Sequence, residues 1–68
     1  MNAKEIKENE LYFSRVLDTL AEGEVFSWKN LGEVLVKTDG KFQCSMKAYN
    51  KAQQILSKNY FDKYFSLK

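Results

Sequence analysis

Apolar residues in the first third of the chain recur at steps of three and four positions. They are Ile6, Phe13, Val16, Leu17, Leu20 and Ala21, with Tyr12 at the edge of the stripe. This spacing is typical of the buried face of a helix. Asn2, followed three residues later by Glu5, is a suitable N-cap, and Gly23 is a suitable C-terminal stop. The pattern therefore predicts a first helix that starts at about Ala3 and ends before Gly23.

The stretch 23–36 holds the only Trp of the chain and permits two interpretations. If Ser27 is an N-cap, Phe26 can pack against Leu31, and a short helix runs from Trp28 to about Val36. If the side chains of residues 25–28 instead alternate between two faces, this segment is a strand and residues 31–32 form a turn. We expect the helix.

Asp39-Gly40 separates two runs that partly alternate between apolar and polar residues. Such a pair favours a hairpin, because a type I′ turn needs positive φ at both central residues. A hairpin here would give one face consisting of Leu35, Lys37, Phe42 and Cys44, and another consisting of Val34, Val36, Thr38, Lys41 and Gln43. The alternative is a tight loop between two helices, with Phe42 in the core.

Ser45 is a suitable cap for a further helix from Met46 to about Lys58. On a helical wheel, one side of this segment is apolar and consists of Ala48, Tyr49, Ala52, Ile55 and Leu56. The opposite side carries no acidic residue and consists of Lys47, Asn50, Lys51, Gln54 and Lys58. After Asn59, residues 60–67 alternate partly enough to predict a terminal strand, and the alternative is that the helix continues.

The chain has 68 residues, of which 44% are hydrophobic and ten are aromatic, so it is expected to form a single domain over residues 1–68. With one Cys and no His it lacks an internal disulfide and the usual zinc ligands. We therefore expect no metal and no cofactor, and a homodimer that completes the small core. No apolar run is long enough for a membrane span or a signal peptide, which predicts a cytoplasmic protein without membrane contact.

The net charge of +2 is small, but its distribution is uneven. Residues 1–36 hold four basic and seven acidic side chains, whereas residues 37–68 hold seven Lys and two Asp. An asymmetric charge of this kind can orient a small domain toward a phosphate backbone. The other interpretation is an ordinary solvated face rich in Lys.

The predicted order of a long helix, an extended piece, a short helix, a loop, a basic helix and a terminal strand resembles the winged helix-turn-helix pattern. The residues that carry the resemblance are Val25-Phe26-Ser27, Leu31, Val34, Leu35, Ser45, Ala48, Ala52, Ile55, Leu56 and the segment 61–67. It implies a mainly α, three-helix domain with a small β component that binds DNA. The connection 36–44 is longer than the family's usual turn, and the C-terminal strand alone cannot form a wing hairpin.

The alternative order is α-β-β-β-α, which resembles the layout of double-stranded RNA-binding domains. Gly40-Lys41, Ser45, Lys47 and Lys51 would then correspond to the start of the second helix of that family. Both resemblances imply that a late basic helix contacts a nucleic acid.

The basic helix predicts a small regulatory domain that binds duplex DNA. Lys47, Lys51 and Lys58 can neutralise phosphates, while Asn50 and Gln54 can pair with an adenine edge. The only Arg of the chain is Arg15, outside this helix, so limited sequence specificity is expected.

The alternative function is a small inhibitor or adaptor, encoded by a phage or mobile element, that docks onto a larger protein. Its contact residues would be Tyr60, Phe61, Tyr64 and Phe65, since aromatic residues are enriched at binding hot spots. Phe61 and Phe65 are also predicted to be buried in the core or in a dimer interface. An enzyme is the least favoured class, because the sequence has no catalytic motif. Cys44 is either a reactive thiol beside Lys41 and Lys47 or, more often for such a residue, a small buried hydrophobe.

Overall fold

The computed structural model of the chain describes residues 2–29 and 32–67. Three helices and four strands follow one another along these residues. In chain order they are α1 (Ala3–Thr19), β1 (Val25–Trp28), β2 (Glu33–Thr38), β3 (Lys41–Cys44), α2 (Met46–Ile55), α3 (Lys58–Tyr64) and β4 (Phe65–Leu67). None of these helices is both long enough and apolar enough to cross a membrane.

The strands form one mixed sheet in the order β1-β2-β3-β4. The first three strands are antiparallel, whereas β4 pairs in parallel with β3. The helices pack on one face of the sheet and leave the other face open. The fold is therefore α/β, and the predicted mainly α, three-helix winged-helix-like domain is wrong. The alternative order α-β-β-β-α is present from α1 to α2, and α3 and β4 follow it.

The predicted start of the first helix is confirmed, but its end lies earlier than predicted. The Asn2 side chain accepts a hydrogen bond from the Glu5 amide at 2.9 Å. The helix ends at Thr19, and the next residue, Leu20, caps it in an extended conformation. Gly23, at φ +85°, lies in the following turn, where its amide donates to the Lys37 carbonyl at 2.8 Å. Gly23 therefore joins the connection to the sheet and does not cap α1.

The predicted helix from Trp28 to about Val36 is wrong, because β1 and β2 occupy this segment as an antiparallel pair. Phe26 pairs with Leu35 and Ser27 pairs with Val34. Trp28 and Leu35 are buried beneath the helices. The capping signal at Ser27 is local, whereas pairing on both sides of β2 satisfies its backbone groups along the whole strand. The predicted contact of Phe26 with Leu31 lies outside the described residues.

The hairpin interpretation of Asp39-Gly40 is the one that the structure has. Both residues have positive φ, at 53° and 75°, as a type I′ turn requires. The Glu22 carboxylate accepts from the amide of Asp39 and, at 3.4 Å, from that of Gly40, which holds the turn against the end of α1. The two faces of β2 and β3 are those deduced from the sequence, with Leu35, Phe42 and Cys44 buried.

The predicted helix from Met46 to about Lys58 is interrupted after Ile55. Ser57 caps α3, since its hydroxyl accepts from the Tyr60 amide at 3.3 Å. Two side chains of α1 hold the break in place. The Asn9 amide donates to the Ile55 carbonyl at 3.2 Å, and the Glu10 carboxylate accepts from the Ser57 amide at 2.9 Å. Most of the predicted terminal strand is therefore the helix α3.

Aromatic rings fill the centre of the core. The ring of Phe13 meets those of Trp28, Phe42 and Phe65 edge to face, at centroid distances of 5.1, 5.8 and 5.5 Å. Phe61 stacks on Phe65 at 5.5 Å. These five rings join α1, the sheet and α3, so one cluster ties together both layers of the fold.

Candidate nucleic-acid interface

Four of the five predicted nucleic-acid-binding residues lie together on the exposed side of α2. They are Lys47, Asn50, Lys51 and Gln54, and all four are exposed. At about 100° per residue they fall within one sector of the helix about 100° wide. No acidic residue occurs in α2. We call these four residues the α2 surface.

Burial of the opposite side of α2 explains why these four residues face outward. Ala48 and Ala52 are fully buried, and their small side chains let the helix lie close against the sheet. Ser45 fixes the start of the helix, because its hydroxyl accepts from the Ala48 amide at 3.3 Å. The α2 surface is therefore held on a rigid element that is anchored at its N-terminus and along its buried side.

Lys47 and Lys51 stand one turn apart, and neither forms an ion pair within the described residues. Like charges at positions i and i+4 repel by roughly 0.2–0.5 kcal/mol on a helix surface. An acidic group does lie at the N-terminal end of α2, because the Glu33 carboxylate accepts from the Ser45 hydroxyl at 2.8 Å. That carboxylate complements the positive end of the helix dipole. A bound anion would relieve the repulsion between the two ammonium groups.

Lys58 does not belong to the α2 surface, contrary to the sequence prediction. It is the first residue of α3, beyond the break at Ser57. Its ammonium group lies 3.0 Å from the Asp62 carboxylate, four residues further along the same helix. The break depends on contacts with α1, so helical periodicity alone could not separate Lys58 from Lys47 and Lys51.

Lys41 is also remote from the α2 surface. Its neighbour Phe42 points into the core, so Lys41 points to the open face of the sheet, while α2 covers the other face. The resemblance to double-stranded RNA-binding domains grouped Lys41 with Lys47 and Lys51. The structure brings together only the latter two.

The four aromatic residues predicted as a protein interface divide into two pairs. Phe61 and Phe65 are 2% and 4% exposed, which confirms the prediction that they are buried and makes them inaccessible to a partner of the folded chain. Tyr60 and Tyr64 are half-buried, with ring centroids 4.7 Å apart. The Tyr60 hydroxyl lies 2.7 Å from the Ser14 hydroxyl, and burial raises the pKa of Tyr60. The contacts of these four aromatic side chains therefore lie mainly within the fold itself.

The open face of the sheet is a second surface, and no motif in the sequence indicates a binding role for it. Its residues are Val25, Ser27, Val34, Val36, Thr38, Lys41, Gln43 and Ser66. One charged residue occurs among them. A shallow groove of about 270 Å³ lies at this face and is lined by Gly32, Glu33, Val34, Val36, Gln43, Cys44 and Ser45. Ligand pockets usually occupy roughly 300–1,000 Å³ and hold convergent polar groups. This groove is smaller, and none of its polar side chains, Glu33, Gln43 and Ser45, is buried, so it is a weak candidate for a ligand site.

Cys44 was expected to be either a reactive thiol or a small buried hydrophobe, and the structure shows the buried hydrophobe. It is 1% exposed, its thiol lies 3.8 Å from the Ser66 carbonyl oxygen, and burial raises the pKa of the thiol from 9.0 to about 11. Lys41 lies on the other face of β3, and the thiol has no hydrogen bond to any amine in the described residues.

We expect Cys44 to resist labelling by a thiol-specific disulfide reagent at pH 8, because the reactive form is the thiolate and the side chain is inaccessible. Labelling of the native protein should be slow, limited by the small fraction of molecules that are transiently open, and should become fast in denaturant. The same raised pKa makes the free energy of unfolding fall between about pH 9 and pH 11, since the unfolded chain releases its thiol proton first. Rapid stoichiometric labelling of the native protein would contradict this assignment.

Comparison of the chain with protein-family models, with curated protein sequences and with solved structures gives no match.

Proposed function

We propose that the protein binds the phosphate backbone of a nucleic-acid duplex through the α2 surface. The observation that carries this proposal is the like-charged couple Lys47 and Lys51, which forms no ion pair with any described residue and lies on the acid-free side of a helix whose other side is buried. Each ammonium group would neutralise a phosphate and release a counterion. A cytoplasmic location fits such a partner.

Asn50 and Gln54 lie in the same sector as the two Lys residues and would contact base edges or sugars beside the neutralised phosphates. Carboxamides can pair with an adenine edge in a major groove. The bidentate guanine contact of Arg is missing from α2. We therefore expect binding that depends strongly on salt and weakly on sequence.

Duplex DNA is the proposed partner. The major groove of B-form DNA is about 12 Å wide and admits a helix, whereas the major groove of A-form RNA is too narrow for side chains to enter. An exposed helix side such as the α2 surface suits the wider groove. A duplex RNA of the same sequence is the natural comparison in the experiment.

The test is fluorescence anisotropy of a labelled mixed-sequence DNA duplex across a range of salt concentrations. Two phosphate contacts predict a log–log salt slope of about −2. The double variant Lys47→Glu/Lys51→Glu should lose about tenfold or more in affinity, because two attractions become repulsions. Circular dichroism should show an unchanged fold, since both side chains are exposed.

The matched control is Lys4→Glu/Lys7→Glu, which makes the same change in net charge at two exposed positions of α1. This control should retain most of the affinity. Equal losses in both double variants would mean that only net charge matters and would remove the α2 surface as the site. Absence of binding by the original protein at low salt would remove the proposal altogether. RNA binding equal to or tighter than DNA binding would rule out the groove argument.

A further inference from the structure

The edge of the sheet at β1 has backbone groups that are free to pair with another strand. The Lys37 amide donates to the Glu24 carbonyl at 3.0 Å, which places Glu24 on the side that faces β2. Backbone groups alternate in direction along an antiparallel strand, so Phe26 and Trp28 also bond toward β2. The amides and carbonyls of Val25 and Ser27 therefore point away from the sheet and have no partner within the described residues.

The residues of β1 itself lack the charge and the Pro that usually prevent pairing, and the one bulge at this edge, where Gly23 and Glu24 both bond to Lys37, lies just before the strand. β1 consists of Val25-Phe26-Ser27-Trp28 and contains no charge and no Pro. Natural edge strands are commonly protected by charged residues, Pro, bulges or very short length. The strand at the opposite edge of the sheet, β4, has three residues, so its short length protects that edge. β1 is the first strand in the sheet order and Val25 is 59% exposed, so the open-face side of this edge strand is accessible.

Apolar side chains accompany the free backbone groups. Tyr12, on α1, is 45% exposed, and its ring centroid lies 6.2 Å from that of the half-buried Phe26. Val25 adds an apolar side chain on the open face of the sheet. We call Tyr12, Val25 and Phe26 the β1 rim. It offers an apolar contact on both faces of the strand to whatever pairs with its backbone.

We propose that a second copy of this chain pairs with β1 in antiparallel orientation, so that two sheets join into one of eight strands. A two-fold axis through Phe26 places Val25 of each copy opposite Ser27 of the other. Those residues carry the outward-pointing amides and carbonyls, so both Val25–Ser27 pairs become hydrogen-bonded pairs. The alternation of side chains is preserved, because residues 25 and 27 lie on the same face.

The side chains and charges of the strand fit this partner. The two Phe26 side chains meet at the axis in a close, non-hydrogen-bonded pair, each beside a Tyr12 ring. Glu24 precedes β1 and Lys29 follows it. In this register Glu24 of one strand lies one position from Lys29 of the other, whereas parallel pairing would bring like charges together. The strand is therefore complementary to its own copy.

The first measurement is the molar mass in solution by analytical ultracentrifugation, from micromolar to millimolar protein. The original chain should form a dimer with rising concentration. Ser27→Pro should remain a monomer, because Pro removes the outward amide and its ring obstructs the neighbouring strand. Ser27→Ala, which keeps that amide, should dimerise like the original chain. A monomer at all concentrations, or a dimer formed equally by Ser27→Pro and Ser27→Ala, would overturn the proposal.

Cysteine pairing tests the register without relying on the folding of the Pro variant. Residues in a hydrogen-bonded pair have Cα atoms about 5.5 Å apart, within the range that a disulfide spans. Mixed Val25→Cys and Ser27→Cys proteins should therefore crosslink on mild oxidation. Each variant alone should not, since two residues along a strand add about 6.6 Å. Both positions are exposed, and the native Cys44 is buried. Equal crosslinking in the mixed and separate samples would overturn this register.

Discussion

Phe13→Ala is expected to leave the protein largely unfolded at room temperature. The ring of Phe13 is 1% exposed and meets three other buried rings edge to face. Truncating a buried Phe to Ala usually costs about 3–5 kcal/mol, through lost burial and the cavity left behind. A domain of this size without disulfide or metal rarely has more than about 3–5 kcal/mol of stability. The predicted cost therefore equals the whole stability of the fold.

The measurement is urea denaturation followed by circular dichroism and by the fluorescence of Trp28, whose ring contacts Phe13. Leu11→Ala is the matched control on the same helix, because Leu11 is 52% exposed. Its free energy of unfolding should stay within about 0.5 kcal/mol of the original. A Phe13→Ala variant that melts with the Leu11→Ala control would contradict the placement of Phe13 at the centre of the core.

Elements with a local signal were predictable from the sequence. Asn2 and Ser45 each accept a hydrogen bond from the amide three residues later, which is the contact that their positions suggested. Asp39-Gly40 forms the turn that this dipeptide favours. Each of these features depends only on a few neighbouring residues, so a short stretch of the sequence is enough to predict it.

Ser27 shows why the segment between α1 and the hairpin was predicted wrongly. Its hydroxyl and the apolar residues after it fit a helix start as well as Ser45 does. The outcome was decided by the pairing of residues 25–28 with residues 33–36, and β2 also pairs with β3 on its other side. Once the hairpin at Asp39-Gly40 forms, β2 presents a free edge to β1. Cross-strand pairing then outweighs the capping signal, and no local rule includes that contribution.

The candidate site, like the fold, was only partly predictable from the sequence. Lys47, Asn50, Lys51 and Gln54 share a sector because Ala48 and Ala52 must be buried, and periodicity alone gives that result. Lys58 was assigned to the same face because the helix was extended past Ser57. The break there is held by Asn9 and Glu10, which lie more than forty positions earlier in the chain. Long-range contacts of this kind leave no periodic trace in the sequence.

Lys37 is the second residue whose replacement should strongly lower the free energy of unfolding. Its ammonium group has a structural role at the end of α1. It lies on the helix-facing side of β2, where an ammonium group would normally be costly. Its Nζ donates to the carbonyls of Leu17 and Leu20, at 2.8 and 2.9 Å. The last turn of α1 contains no basic residue of its own. Lys37 therefore supplies, from the sheet, the positive charge that favours a helix C-terminus.

Lys37→Met should lower the free energy of unfolding by about 2 kcal/mol, because hydrogen bonds to charged groups contribute more than neutral ones and two carbonyls lose their donor. Met keeps the length and apolar stem of the side chain, so the loss reports on the ammonium group. Lys41→Met, an exposed Lys in the same hairpin, is the control and should change stability by less than about 0.5 kcal/mol. Urea denaturation compares the two variants. Equal stabilities would mean that α1 is held to the sheet by the backbone contact from Gly23 to Lys37 and the packing of Leu17, without help from the charge.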